Sequence, residues 1–166
     1  MSLKEDRISV ARAGRVIYSH VKGLGNFSNA LMFEEFCEAE LKQGLDCFVI
    51  DLAECEGMDS TFMGVLAGLS THFPPGASRV IVLNASERNR QLLDDLGLSK
   101  LVTVRSQPDK IPPLELQPLA SDPLPARERA ERIRRAHQQL IDADGRNAAR
   151  FGPVLQLLKR ELGTPN

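Results

Sequence analysis

Three consecutive residues, Asp59-Ser60-Thr61, are the part of this 166-residue chain best suited to chemistry. They follow Cys47-Phe-Val-Ile-Asp-Leu52, a short continuous apolar run with the composition of a buried central strand, and a short loop. They open Thr61–Phe73, which is apolar almost all round and reads as a helix. The first N–H groups of a helix have no partner within it, and any of the three side chains could cap them. Capping alone is one reading. The other is that a hydroxyl stands exposed at the helix N-terminus and accepts a phosphoryl group, which the free N–H groups and the positive end of the helix dipole would favour locally. A phosphate brings about −1.5 to −2 charge at pH 7, enough to disrupt a flat docking surface unless the partner offers a basic pocket.

Other reactive side chains form weaker patterns. His20, His72 and His137 lie far apart and form no spaced ligand pair with a cysteine, so each reads as a surface or packing residue. Cys37 and Cys47 fall in apolar patterns, and Cys55 lies beside Glu54 and Glu56, which would raise a thiol pKa rather than activate it. The three cysteines lack CxxC spacing and suit a reduced, cytoplasmic protein. There is no Walker loop and no GxGxxG. Asp142-Ala-Asp-Gly145 has part of the spacing of a calcium loop without the later ligands, and reads as a break between helices. No metal, no cofactor and no self-contained active site are expected.

The elements that must position the Asp59 junction are legible as alternating strands and helices. Ile8–Ala11 and Arg15–Val21 flank Ala13-Gly14, a plausible hairpin turn. Ser28 or Asn29 can cap a helix that runs to about Lys42 and ends at Gly44, with Ala30, Phe33, Phe36, Cys37 and Leu41 on one face. Arg79–Leu83 is a second buried strand, Ser86 caps a helix over Glu87–Leu96, and Leu101–Val104 is a last short strand. Gly64, Ala67, Gly68 and Thr71 form a small-residue face on the helix after Asp59. A glycine inside a helix costs about 1 kcal/mol relative to alanine, so two of them imply a close approach, expected here against the sheet. The alternation implies crossovers and a mixed or mostly parallel sheet, with the helices mainly on one face.

The chain has 42% hydrophobic and 26% charged residues and a net charge of −1, which suits a soluble domain with an appendage and gives no general reason to expect nucleic acid or an anionic membrane surface. No apolar run approaches the roughly 20 residues of a membrane span, and the charged start, Met1–Arg7, is unlike a signal peptide. The charge is uneven: residues 126–166 hold nine Lys/Arg against five Asp/Glu, and residues 1–125 hold twelve against seventeen. Six of the ten prolines fall between Pro108 and Pro125, interrupted by Leu114, Leu116 and Leu119, which reads as an extended strap lying on a surface. The organisation expected is a domain over 1–107, a Pro-rich linker over 108–125 and a helical extension over 126–166. In the extension, one helix runs from Pro125 to about Ile141 with a narrow apolar stripe and an arginine-rich remainder, and a second covers Pro153–Leu162. Both stripes should be buried, against the core domain or in a homodimer formed through these helices.

Val49-Ile50-Asp51-Leu52 and Met58-Asp59-Ser60-Thr61-Phe62-Met63-Gly64-Val65-Leu66, with the order of elements around them, resemble the STAS domain, especially the small bacterial anti-sigma factor antagonists, over roughly residues 5–106. That resemblance implies an α/β fold: a STAS-like mixed sheet of four to five strands with helices mainly on one face, here followed by a C-terminal helical extension. It implies a non-enzymatic phosphoprotein of bacterial signal transduction and transcription regulation. A GHKL-type anti-sigma factor/serine kinase, which brings its own ATP and Mg²⁺, binds the unphosphorylated antagonist and phosphorylates it. A phosphatase resets the switch. The second hydroxyl of the motif is Thr61, with Ser60 as the fallback acceptor. The partner-binding surface combines Met58, Asp59, Phe62 and Met63 with the loop Gly25, Asn26, Phe27 and Ser28. Phe62 stands where the family has glycine, so it could block a kinase loop or serve as an apolar docking contact. The alternative function is a non-switching scaffold or accessory subunit, stressosome-like or associated with an ABC transporter.

Overall fold

The computed structural model describes residues 5–74, 76–77, 79–105, 110–120 and 124–163. Strand β1 (Arg7–Ala13) turns back on β2 (Val16–Gly25), with Ala13 opposite Val16 and Gly14 at φ 63° as the first of two loop residues. A positive φ at that position suits a hairpin turn that follows the strand twist. Helix α1 (Phe27–Leu41), strand β3 (Cys47–Met58), helix α2 (Ser60–Ser70), strand β4 (Val80–Leu83), helix α3 (Glu87–Asp95) and strand β5 (Thr103–Val104) follow. A two-residue strand, β6 (Gln117–Pro118), and helices α4 (Ala126–Ala143) and α5 (Asn147–Glu161) complete the chain.

The sheet is mixed, in the order β5-β4-β3-β2-β1-β6. β2, β3, β4 and β5 are parallel neighbours, whereas β1 is antiparallel to both β2 and β6. Its six strands exceed the four to five expected because the proline-rich segment contributes β6. Gln117 pairs with Val10, Pro118 pairs with Ser9, and the Leu119 N–H donates to the Ile8 carbonyl at 3.0 Å. The strap is thus stitched to the sheet edge, and Leu119 packs on the core. Ile8, Val10, Ile17, Val21, Phe48, Ile50 and Leu52 point alternately from their strands into one core with Phe33, Leu66 and Leu69 of α1 and α2. Ala136, Leu140 and Phe151 belong to the same core, so the extension docks on the domain.

Several boundaries differ from expectation. β3 runs six residues past Leu52, because β2 continues beside it to Gly25 through two register shifts. The α1 cap is Asn26 rather than Ser28 or Asn29: Asn26 accepts the Asn29 N–H, and the Asn29 side chain accepts the Asn26 N–H, a reciprocal capping box. α5 begins at Asn147 and carries Pro153 inside it. The buried Asn147 amide donates to the Leu96 and Leu140 carbonyls at 3.0 and 2.7 Å, which fixes the helix start ahead of the proline.

Candidate functional site

The ends of β2 and β3 deliver two helix starts side by side. Asp59, in extended conformation, accepts the Phe62 N–H of α2 through Oδ1 at 2.9 Å and the Phe27 N–H of α1 through Oδ2 at 2.8 Å. One carboxylate therefore serves the positive ends of two helices. The Asp59 N–H donates to the Gly25 carbonyl at 2.8 Å, closing the junction from the other side. The structure thus brings the Gly25–Ser28 loop and the Asp59-Ser60-Thr61 turn together.

Their side chains divide sharply in exposure. Phe27 is 48% exposed and Ser28 is exposed, while Asn26, Asp59 and Ser60 are half-buried. Met58, Phe62 and Met63 are buried. Phe62, expected either to obstruct a partner or to contact it directly, instead lies under Gly25: a Cβ built on Gly25 would stand 2.8 Å from the Phe62 ring. The large residue after the hydroxyl pair is accommodated by the absence of a side chain across from it. Leu24, within the Gly23–Ser28 segment expected to face a partner, is 45% exposed and adds a second exposed apolar side chain to that loop.

The hydroxyls are not both open. Thr61 is only 4% exposed, against the expectation of an alcohol presented to solvent. Ser60 Oγ lies 2.9 Å from His137 Nε2 of α4. The other ring nitrogen, Nδ1, lies 2.8 Å from the Ile133 carbonyl. A carbonyl only accepts, so Nδ1 carries the hydrogen; in the neutral ring Nε2 is then the acceptor and Ser60 donates to it. His137 also packs edge-on against Phe151 of α5, with ring centroids 5.4 Å apart. The small-residue face of α2 meets this same helix rather than the sheet. A Cβ on Gly64 would come within 2.2 Å of the Ala136 carbonyl oxygen, and one on Gly68 would touch Gln139 Cγ at 3.4 Å.

An ionic cluster centred on the buried Arg132 ties α4 to α1. Arg132, with a side chain 9% exposed, contacts Glu34 at 2.6 Å and Glu38 at 3.4 Å on α1, and Glu128 at 3.5 Å on its own helix. Burial pushes the Glu34 carboxyl above its ordinary pKa despite the opposing pull of Arg132. On the strands, His20 is half-buried between Asp51 at 3.2 Å and Glu54 at 2.5 Å. Among the described residues, no group of three or more His, Cys, Asp or Glu side chains is arranged to hold a metal ion, and no helix is long and apolar enough to cross a membrane.

Comparison with known proteins places this geometry in context. The model of the STAS domain family matches residues 7–111. A search of curated protein sequences finds no match. Among solved structures, an anti-sigma factor antagonist from Mycobacterium paratuberculosis aligns with a TM-score of 0.52 at 20% identity, over 60% of this chain and 86% of its own. A candidate anti-sigma factor antagonist from Thermotoga maritima aligns with a TM-score of 0.51 at 20% identity, over 61% and 86%. At these identities the likeness is one of fold. It leaves about 40% of this chain outside the alignments.

Proposed function

This chain belongs to the STAS domain family, and from that premise we propose that it is a cytoplasmic anti-sigma factor antagonist working by partner switching. In its unphosphorylated form it binds a GHKL-type anti-sigma factor/serine kinase. Transfer of a phosphoryl group to Thr61, or to Ser60 as the fallback, ends that binding, and a phosphatase restores it. The chain is the acceptor and the docking surface; the nucleotide and its metal belong to the kinase.

The observation that carries this reading is the shared junction at Asp59. A hydroxyl pair opens α2 at the end of a central strand, and the same carboxylate anchors the neighbouring loop with its exposed Phe27 and Ser28. A phosphate added there would place about −1.5 to −2 charge beside that loop and alter any interface using it. The burial of Thr61 favours a second reading, a non-switching scaffold or accessory subunit, in which the hydroxyls only cap and pack. Incubation with the cognate GHKL-type kinase and ATP, followed by intact mass, separates the two. A phosphate-sized gain that disappears in Thr61→Ala supports the switch. No gain, with the kinase active on a control substrate, favours the scaffold.

A further inference from the structure

The helical extension packs on the face of α2 that begins at the hydroxyl pair. Ala136 crosses α2 at Gly64 so closely that only hydrogen fits between the backbones, His137 takes the Ser60 hydroxyl, and Thr61, one turn before Gly64, is buried. We propose that α4 and α5 are a displaceable cover, an in-chain occupant of the α2 face that an incoming partner must dislodge to reach the start of α2. The inference rests on the reading of Thr61 as the acceptor, and it adds that access to the acceptor is gated by this chain itself.

Two features suit the pair to moving as one body. First, α4 and α5 are bound to each other by the Asn147 amide on the Leu140 carbonyl and by the His137–Phe151 ring contact. Second, part of their hold on the domain is ionic. Arg132 is buried against Glu34 and Glu38, and its Nε makes no hydrogen bond, facing only the Glu128 carboxylate of its own helix at 3.5 Å. An ion pair as buried as Arg132–Glu34 gains little over its desolvation cost. The apolar part of the contact, Ala136, Leu140 and Phe151, keeps the cover closed until something else takes its place on α2. Because docking and esterification exclude each other, linkage requires that a phosphate on Thr61 disfavour re-docking to the same extent that docking disfavours the phosphate.

The test uses the full chain in two arms, both read without a kinase. In the first, Gly68→Cys with Gln139→Cys places thiols where a Cβ on Gly68 lies 3.4 Å from Gln139 Cγ, and the disulfide is verified by peptide mapping. Hydrogen exchange at the Phe62 and Met63 amides should be at least about tenfold slower in the oxidised than in the reduced form, with β3 and β4 amides unchanged. Equal exchange in the two forms overturns the cover. In the second arm, Thr61→Glu should speed trypsin cleavage within α4, at Arg132 and Arg135, at least about tenfold over wild type, while Thr61→Val leaves it at the wild-type rate. Retained exchange protection in β3 and β4 separates release of the helices from global unfolding. A disulfide that slows exchange combined with an α4 that stays protected in Thr61→Glu supports the cover and instead sinks Thr61 as the acceptor.

Discussion

The Asp59 carboxylate and the Phe27 N–H lie 2.8 Å apart although 32 residues separate them, so the start of α1 is capped in part from the start of α2. The second oxygen of the same carboxylate holds the Phe62 N–H. The candidate partner surface is therefore fastened in part through one side chain that serves both helix starts.

Removing that fastener should destabilise both helix starts together. Each N-terminal cap is worth about 1 kcal/mol, so Asp59→Ala should lower unfolding stability by about 2 kcal/mol, and Asp59→Asn, which keeps one acceptor oxygen, by about half of that. Denaturant titration measures both, and an Asp59→Ala loss below about 0.5 kcal/mol would show that the double cap is energetically idle.

The two glycines of α2 should respond in opposite directions to the same substitution. Gly64→Ala drives a methyl into the Ala136 carbonyl, a rigid backbone group, and overpacking of this kind costs about 1–3 kcal/mol. Gly68→Ala meets only the flexible end of Gln139 at ordinary contact distance, and should be neutral or stabilising by up to about 1 kcal/mol through helix propensity. Thermal melts of the two variants decide it.

Ser60 and His137 should be energetically coupled. Ser60→Ala, His137→Ala and the double variant form a cycle whose interaction energy should be about 0.5–1.5 kcal/mol, the worth of one intramolecular hydrogen bond. Strict additivity would show that the 2.9 Å contact is not maintained in solution.

The Glu34 carboxyl gives a signed pH dependence. Burial raises its pKa in the folded state above the ordinary carboxylate value, with Glu38 acting in the same direction and Arg132 and Arg135 opposing. The folded state then binds more protons than the unfolded one between the two pKa values, and the Glu34 contribution to stability falls as pH rises through that window. The melting temperature of Glu34→Gln relative to wild type should therefore rise between pH 4 and pH 7. A difference that stays flat or falls contradicts the assignment.

Leu24 and Phe27 should matter for binding and not for folding. Leu24→Ser with Phe27→Ser removes two exposed apolar side chains and should change stability by no more than about 0.5 kcal/mol. If the antagonist reading holds, affinity for the GHKL-type kinase, measured by calorimetry, should fall at least about tenfold. An unchanged affinity would move the docking surface elsewhere.

The strand and helix order from β1 to β5 was readable because its signals are local: apolar runs such as Cys47–Leu52, the Ser86 cap and the hairpin at Gly14. The Asp59 junction was equally visible, since capping residues after an apolar strand announce a helix start. What could not be read were relationships across the chain. Phe62 looked like an exposed departure because Gly25, its complement, is 37 residues away. Gly64 and Gly68 declared a close approach, expected against the sheet, but their partner lies on α4, some 70 residues on. His137 carried no motif, because a lone histidine gains meaning only from the hydroxyl it meets.

The proline in β6 has a consequence for how this molecule can meet others. β6 forms one margin of the sheet, and Pro118 within it has no N–H to offer a further strand. At the opposite margin β5 is only two residues long, too short a template to recruit an extended segment. With both borders blunted, lengthening the ladder by β-augmentation is disfavoured, and recognition is directed to the helices and to the loops at the strand ends.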